Sequence, residues 1–92
     1  MKPNVIIIHS RDNVAVALED IPQGAAVHLP DGQAFAALAL IPYSHKVALT
    51  DIASGAAIVK YGEVIGETKE DVGKGGWIHT HNLDIEKKKE HA

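Results

Sequence analysis

Histidine is the residue type through which this sequence could support proton transfer or metal binding. The 92 residues include six histidines and no cysteine, which excludes disulfides, thiolate nucleophiles and cysteine-ligated metals. The densest cluster is His79-Thr80-His81-Asn82. On a β-strand, His79 and His81 would point to one face about 6.5 to 7 Å apart, together with Trp77, and could approach one carboxylate or one metal ion. The alternative interpretation is a pair of exposed polar side chains.

Other candidate side chains lie at predicted strand ends and turns, where binding sites are usually assembled. Neighbouring strand residues point in opposite directions, so His45 and Lys46 could serve one ligand only if the preceding turn persists through His45. The alternative is a turn-capping histidine beside a solvated lysine. His9 ends the first apolar run and precedes a polar loop that could bind an acid. Tyr61-Gly62 favours a tight turn over a catalytic pair.

A repeated turn motif organises the chain. It consists of Asp, a β-branched apolar residue, two free positions, Gly, two more positions and another β-branched apolar residue. The copies span 20–27, 51–58 and 71–78, with an altered fourth copy at 40–47. We expect each Asp to accept hydrogen bonds from the backbone N–H groups directly after it, and each Gly to adopt a positive φ before a strand begins. The spacing indicates that 20–49 and 51–80 are two copies of one unit.

The segments between the turns predict an all-β domain. They are short runs rich in valine, isoleucine and alanine, and most are bounded by Gly, Pro, Asp or Asn. The predicted strands are 5–9, 14–18, 25–29, 46–49, 57–61, 64–68 and 77–81. The alanine-rich segment 33–40 is also assigned to strand, because the equivalent part of the second unit has a strand pattern. We expect the domain to span 1–83, followed by a charged tail over 84–92 that frays or forms a last helical turn.

Composition and charge exclude several classes of partner. Nine basic and twelve acidic residues give a formal charge of -3, so we expect no binding to nucleic acid. No apolar run approaches membrane-spanning length and no signal peptide is evident, so we expect a cytoplasmic protein without a membrane partner. The sequence also lacks G-x-S-x-G, P-loop and G-x-G-x-x-G motifs, which argues against a nucleophile elbow and against nucleotide binding.

Much of the chain resembles the SAF domain at the N-terminus of altronate and galactarate dehydratases. The segments that carry the resemblance are Ile41-Pro42-Tyr43-Ser44-His45-Lys46-Val47-Ala48-Leu49, Ile58-Val59-Lys60-Tyr61-Gly62-Glu63-Val64-Ile65-Gly66 and His79-Thr80-His81-Asn82-Leu83. The similarity runs over residues 5–83, including the opening segment 12–18. Leu40 and Ser44 depart from the family pattern, which has Asp and Gly there. The resemblance implies a compact β-clip fold built on the turn-strand repeat.

The resemblance also implies a lyase function. Enzymes of this family remove water from a sugar acid by abstracting the proton beside its carboxylate, with the help of a divalent metal such as Fe²⁺ or Mn²⁺. Their large catalytic region is missing here. We therefore expect a small subunit that completes the site of a large catalytic dehydratase subunit and is inactive alone. The metal would be held mainly by that partner, and whether it also contacts this chain is left open.

The candidate site residues come from the residue types and spacing described above, placed in the context of this lyase function. The catalytic candidates are His79, His81 and His45, and the substrate-binding candidates are Lys46, Asn82, His9 and Tyr61. Two alternatives remain open. The first is the similar small subunit of (2R)-sulfolactate sulfo-lyase, which eliminates sulfite instead of water, and the second is a non-catalytic acid-binding module. The isolated chain could also form a homo-oligomer.

Overall fold

Short β-strands separated by tight turns make up the part of the chain that the structure, a computed structural model, describes: residues 2–87. The strands are β1 (Val5–Ile6), β2 (Val14–Ala17), β3 (Ala26–His28), β4 (Ala34–Ala36), β5 (Lys46–Ala48), β6 (Ala57–Lys60), β7 (Glu63–Thr68), β8 (Trp77–Ile78) and β9 (Leu83–Asp84). A single 3₁₀ turn follows at 85–87. Within this range the structure is an all-β domain of the β-clip type. It contains no helix with the length and apolar character needed to cross a membrane.

The strands form three small antiparallel sheets with the orders β1-β2-β5-β8, β3-β4 and β6-β7-β9. In the four-stranded sheet, β5 lies between β2 and β8. Lys46 of β5 is paired with Val16 on one side and with Ile78 on the other, and Val47 faces Trp77. This register brings the start of β5 beside the end of β8, although the two segments are far apart in the sequence.

All four copies of the repeated turn have the same backbone geometry. In each, a carbonyl accepts a hydrogen bond from the N–H three residues later, over 2.8–3.0 Å; the accepting residues are Pro22, Pro42, Ala53 and Gly73. The fifth position has a positive φ in every copy: 85° at Gly24, 67° at Ser44, 82° at Gly55 and 90° at Gly75. These values are typical of type II turns. The predicted positive φ at the three glycines is confirmed, and the altered copy keeps the conformation with serine in place of glycine.

The turns associate in pairs, and the aspartates act across each pair. The residues after the Asp positions exchange two backbone hydrogen bonds in each pair, Ile21 with Ile41 and Ile52 with Val72. The expectation that each Asp accepts from the N–H groups directly after it is wrong. The carboxylates bind N–H groups of the opposite turn, over 2.8–2.9 Å, in the pairs Asp20 with Tyr43, Asp51 with Lys74 and Asp71 with Ser54. Antiparallel bridging brings the N–H groups of the opposite turn within hydrogen-bond distance of the carboxylates.

The core consists of two aliphatic clusters on opposite faces of the four-stranded sheet. Val47 belongs to one cluster and its neighbour Ala48 to the other, because successive strand residues point to opposite faces. Both residues are fully buried. Trp77 packs against the first cluster and Ile78 is a buried member of the second. The sheet is therefore covered on both faces, and its polar and aromatic side chains emerge where the strands end.

Several predicted strand limits are corrected by the structure. The strand predicted over 77–81 ends at Ile78, because residues 79–82 form a turn. In the alanine-rich segment only Ala34–Ala36 is strand. Asp84, which the sequence assigns to the tail, pairs with Glu67 as part of β9. The rest of the tail beyond residue 87 lies outside the described residues.

Candidate functional site

Three histidines and a tryptophan gather at one end of the four-stranded sheet. His45 is stacked on His79, with ring centroids 3.9 Å apart and planes 19° from parallel. Trp77 lies nearly parallel to His79 at 6.1 Å, and His81 lies against Trp77 at 4.4 Å. We call these four residues the imidazole cluster. The structure thus brings together the three histidines that the sequence singles out as catalytic candidates.

The register of β5 and β8 explains why His45 meets His79. Lys46 is paired with Ile78, so the residues just before Lys46 and just after Ile78 occupy the next opposed positions. The altered turn delivers His45 to this place, since its N–H donates to the carbonyl of Pro42 and closes the turn at 3.0 Å. The turn therefore persists through His45, which is the condition for His45 and Lys46 to serve one ligand.

A side-chain-closed turn, rather than strand alternation, positions His79 and His81. The Asn82 side chain is 3% exposed and lies beneath this turn. Its Oδ1 accepts a hydrogen bond from the N–H of His79 at 3.0 Å, and its Nδ2 donates to the carbonyl of Trp77 at 2.9 Å. The explanation of the His79–His81 pair as alternate residues of one strand is therefore wrong, although both rings still reach the cluster.

Trp77 is a member of the site that residue-type reasoning left without a role. Its indole N–H donates a hydrogen bond to Nδ1 of His45 over 3.0 Å. One signal in the sequence could have indicated such a bond: a tryptophan that is partly buried in a small domain usually finds a partner for its N–H. The partner itself could not be named, because His45 lies on a different strand.

An open cleft of about 530 Å³ adjoins the cluster. Its lining residues are Lys46, Lys69, His79, Thr80, Leu83, Asp84, Ile85 and Glu86. Two predicted site residues, Lys46 and His79, face this cleft, whereas Lys69, Asp84 and Glu86 were not singled out by the sequence. The volume is in the range of sites for small organic ligands.

The charges around the cleft favour the neutral form of His79. Loss of solvent contact lowers the pKa of His79, and electrostatic repulsion from His45, Lys46 and His81 in their protonated forms lowers it further. Burial also lowers the pKa of Lys46, with an additional contribution from the charge of Lys60. An anion in the cleft would oppose both effects, because it stabilises the protonated lysine and imidazole.

His9 and Tyr61 belong to a second group of residues, organised by Asp12. The Asp12 carboxylate accepts hydrogen bonds from the backbone N–H groups of His9, Tyr61 and Gly62, over 2.8–3.2 Å. Tyr61 and Gly62 both have positive φ, 58° and 74°, as in a two-residue hairpin loop between β6 and β7. Within residues 2–87, neither His9 nor Tyr61 makes a hydrogen bond or ring contact with the imidazole cluster.

Residues 3–86 match the protein family described as the altronate/galactarate dehydratase SAF domain. The chain belongs to this family. The match extends over almost all of the described residues and includes both the paired turns and the imidazole cluster.

Curated relatives of this SAF domain are lyases. It is 46% identical to the altronate dehydratase of Escherichia coli (strain K12) over 77 residues, which are 84% of this chain and 15% of that enzyme. It is 41% identical to the galactarate dehydratase (L-threo-forming) of the same organism over 73 residues, 79% of this chain and 14% of that enzyme. It is also 48% identical to the (2R)-sulfolactate sulfo-lyase subunit alpha of Paracoccus pantotrophus over 42 residues, 46% of this chain and 63% of that subunit. The SAF domain thus spans about one seventh of the dehydratases that it matches.

The donor set of this SAF domain does not fit a divalent metal. Residues 2–87 contain no group of three or more His, Asp or Glu side chains placed to hold a metal ion. His45 and His79 are stacked face to face, so their ring nitrogens do not converge on one point. Nδ1 of His45 is already bound to the indole of Trp77. The imidazole cluster by itself is therefore not a metal site.

Proposed function

We propose that this SAF domain is the small subunit of an altronate dehydratase-like hydro-lyase, in which it completes the active site of a large catalytic subunit. The observation that carries the proposal is the stack of His45 on His79 at the edge of a cleft lined by Lys46 and Lys69. Such a cleft offers an imidazole base and two ammonium groups to a small acid, beside the carboxylates of Asp84 and Glu86. The substrate that fits this set is a sugar acid, whose carboxylate and adjacent C–H bond must be handled together.

His79 is the proposed general base. Its pKa is lowered by desolvation and by neighbouring positive charges, so at neutral pH it has a free lone pair. In the reaction the C–H bond beside the carboxylate breaks and its proton moves to the imidazole. The electron pair forms an enediolate, and collapse of the enediolate expels the hydroxyl group on the adjacent carbon. As that C–O bond breaks, the hydroxyl takes a proton from an acid of the large subunit and leaves as water, and His79 keeps the abstracted proton until product release.

Lys46 is the proposed carboxylate-binding residue. It is half-buried beside His79 and, within residues 2–87, its ammonium group makes no ion pair. A carboxylate bound there would place the acidic C–H bond near the imidazole and would help to stabilise the enediolate. We assign Asn82 to positioning rather than to substrate binding, because its buried amide is already bonded to the turn. His81 completes the surface through its contact with Trp77.

The metal belongs to the partner in this proposal. A divalent ion such as Fe²⁺ or Mn²⁺, held by the large subunit, would supply Lewis-acid stabilisation of the enediolate and the leaving group. The part of the SAF domain that the structure describes contributes imidazoles and ammonium groups to the same substrate but no set of metal ligands. His9 and Tyr61 lie outside the cluster and would contribute only through the interface or a more remote part of the substrate.

A second candidate function is the small subunit of a sulfo-lyase. It is favoured by the match to a separate subunit alpha, of which the aligned segment covers 63%. The proton abstraction would be the same, but a C–S bond would break and sulfite would leave. Because the base and the carboxylate site are common to both reactions, the identity of the leaving group depends on the large subunit.

The test is reconstitution with the large catalytic subunit, followed by an activity screen on aldonates, aldarates and sulfolactate. Alone, the SAF domain should show no turnover with added Fe²⁺ or Mn²⁺, and mixing should restore the rate in proportion to the amount added. His79→Ala should abolish turnover and His81→Ala should lower it, and the exposed substitution His81→Ala should change stability by less than about 0.5 kcal/mol. His28→Ala, a histidine of β3 outside the cluster, is the matched control.

Two results would reject the proposal. If the lone chain turned over at the rate of the complex, the division of labour between subunits would be wrong. If the complexes with His79→Ala and His81→Ala were as active as the one with His28→Ala, the domain would be a non-catalytic acid-binding module.

A further inference from the structure

Trp77 makes a hydrogen bond to His45 that has no part in proton abstraction by His79. Its indole N–H donates a hydrogen bond to Nδ1 of His45 over 3.0 Å. Because the indole nitrogen can only donate, Nδ1 must be the accepting, unprotonated nitrogen of His45. In a neutral imidazole the ring proton is then on Nε2. We propose that Trp77 is a positioning residue that fixes His45 in its Nε2-protonated form and makes it a hydrogen-bond donor to a substrate oxygen.

The Nε2–H group of His45 is free to meet a ligand. It makes no hydrogen bond within residues 2–87, where the ring's one hydrogen bond is through Nδ1. Among these residues, no side chain that is at least partly buried has a buried polar atom without a partner. Nε2 must therefore contact solvent, although the ring as a whole is half-buried. The two nitrogens point to different sides of the imidazole, so the N–H is directed away from Trp77.

The stacked ring of His79 complements this arrangement. The two centroids are 3.9 Å apart, so protonation of both rings would place two positive charges face to face. The stack therefore favours a different role for each of the two histidines. His79 accepts a proton, and His45 donates a hydrogen bond while remaining neutral. A neutral imidazole can stabilise a developing oxyanion in this way without transferring its own proton.

The oxygen that His45 would meet is defined by the chemistry of the acid. When the C–H bond beside a carboxylate is broken, its electron pair moves onto the carboxylate oxygens, and negative charge increases there. A donor at Nε2 stabilises that charge more strongly in the transition state than in the bound substrate. The identity of this oxygen rests on the proposed function, whereas the protonation pattern of His45 is a property of the chain by itself.

Nitrogen NMR of the full chain tests the protonation pattern without a partner. At a pH where the histidines are neutral, long-range ¹H–¹⁵N spectra should show His45 protonated on Nε2 and unprotonated on Nδ1. A through-hydrogen-bond coupling should connect the Trp77 indole N–H to Nδ1. In Trp77→Phe, which keeps an aromatic ring but loses the N–H, the His45 nitrogens should shift towards a mixture of the two forms, and those of His28 should not.

Two NMR results would overturn the inference. The first is a spectrum of the unmodified chain in which His45 is protonated on Nδ1 or shows no coupling to the Trp77 indole. This result is decisive even if Trp77→Phe does not fold. The other is a Trp77→Phe spectrum in which the His45 nitrogens are unchanged.

The donor role is tested in the reconstituted complex with two replacements of His45. His45→Leu removes the N–H and should lower kcat/KM on the order of 10²-fold, as for the loss of one oxyanion donor. His45→Gln offers an amide N–H but cannot exchange a proton, so it should recover most of that loss. Equal losses in the two variants would overturn the donor role. Full activity of both, and of His79→Ala, would instead reject the proposed function and leave the NMR result standing.

Discussion

The side chain of Asn82 lies under the turn that carries His79 and accepts a hydrogen bond from the His79 N–H at 3.0 Å. The same amide donates to the carbonyl of Trp77 at 2.9 Å, so one buried residue connects the last residues of β8 to the first residue of the turn. Two members of the imidazole cluster are thus positioned through a group that is itself 3% exposed.

Replacing Asn82 should therefore affect both stability and site geometry. Asn82→Ala leaves a partly buried N–H and a partly buried carbonyl without their partners, and it should lower the free energy of unfolding by about 1–3 kcal/mol. Thr80→Ala is the matched control, because Thr80 is an exposed residue of the same turn and should cost less than about 0.5 kcal/mol. Urea unfolding followed by Trp77 fluorescence measures both. Equal stability of the two variants would show that the Asn82 hydrogen bonds contribute nothing.

Alanine substitutions at two turn glycines should have different costs. Gly55 and Gly75 share a positive φ, which disfavours any β-carbon by about 1 kcal/mol. A β-carbon at Gly55 would meet no atom within 4 Å, whereas one at Gly75 would overlap the carbonyl oxygen of Ala36. We expect a loss of about 1 kcal/mol for Gly55→Ala and of more than about 2 kcal/mol for Gly75→Ala. Chemical denaturation should rank them in this order, and the reverse order would contradict the packing around Gly75.

The altered turn offers a stabilising substitution. Leu40 occupies the first position of the altered turn, where the other three turns have an aspartate that binds an N–H group of the opposite turn. Its side chain is 54% exposed, so replacing it removes little buried apolar surface. By analogy with Asp51 and Asp71, a carboxylate there would accept the N–H of Gln23. Leu40→Asp should raise the free energy of unfolding by about 0.5–1.5 kcal/mol relative to Leu40→Ala. Thermal unfolding of the two variants checks this. An aspartate variant no more stable than the alanine variant would show that the turns of the first pair are not equivalent to those of the second.

The lowered pKa of His79 predicts a pH dependence with a definite sign. The unfolded chain takes up the His79 proton near pH 6.5, whereas the folded chain does so only at lower pH. Between these two pH values the unfolded chain binds more protons than the folded chain, so the free energy of unfolding falls as the pH decreases. The stability that depends on neutral His79 is therefore fully present above pH 6.5 and is lost as the pH falls through the lower pKa of the folded chain. The titration midpoint of His79 in the folded chain can be followed by the ¹H chemical shift of its imidazole.

A pair of lysine variants tests the cause of this shift. Lys46→Gln removes one of the charges that lower the pKa of His79, so the midpoint should rise towards 6.5. Lys69→Gln changes another lysine of the same cleft that is not among those charges, and the midpoint should stay in place. A midpoint at or above 6.5 in the unmodified chain would contradict the desolvation of His79.

The sequence by itself determined the local structure of this protein. Positive φ at Gly24 and Gly55 and short strands between turns follow from residue preferences that act over a few positions. The SAF family could also be identified, because its turn and histidine motifs occupy continuous segments. The sequence likewise pointed to His79 and His45 as candidates, because histidine titrates near neutral pH and these two lie in the motifs that resemble the family.

Only the tertiary structure decided how these residues meet. The pairing of Lys46 with Ile78 places His45 on His79, and no local preference encodes a contact across that separation. The end of β8 before His79 depends on the Asn82 side chain, which competes with strand hydrogen bonding for the same backbone groups. The acceptors of the turn N–H groups and the partner of the Trp77 indole were likewise set by sheet register. These are long-range interactions, and their geometry becomes fixed only when the strands pack together.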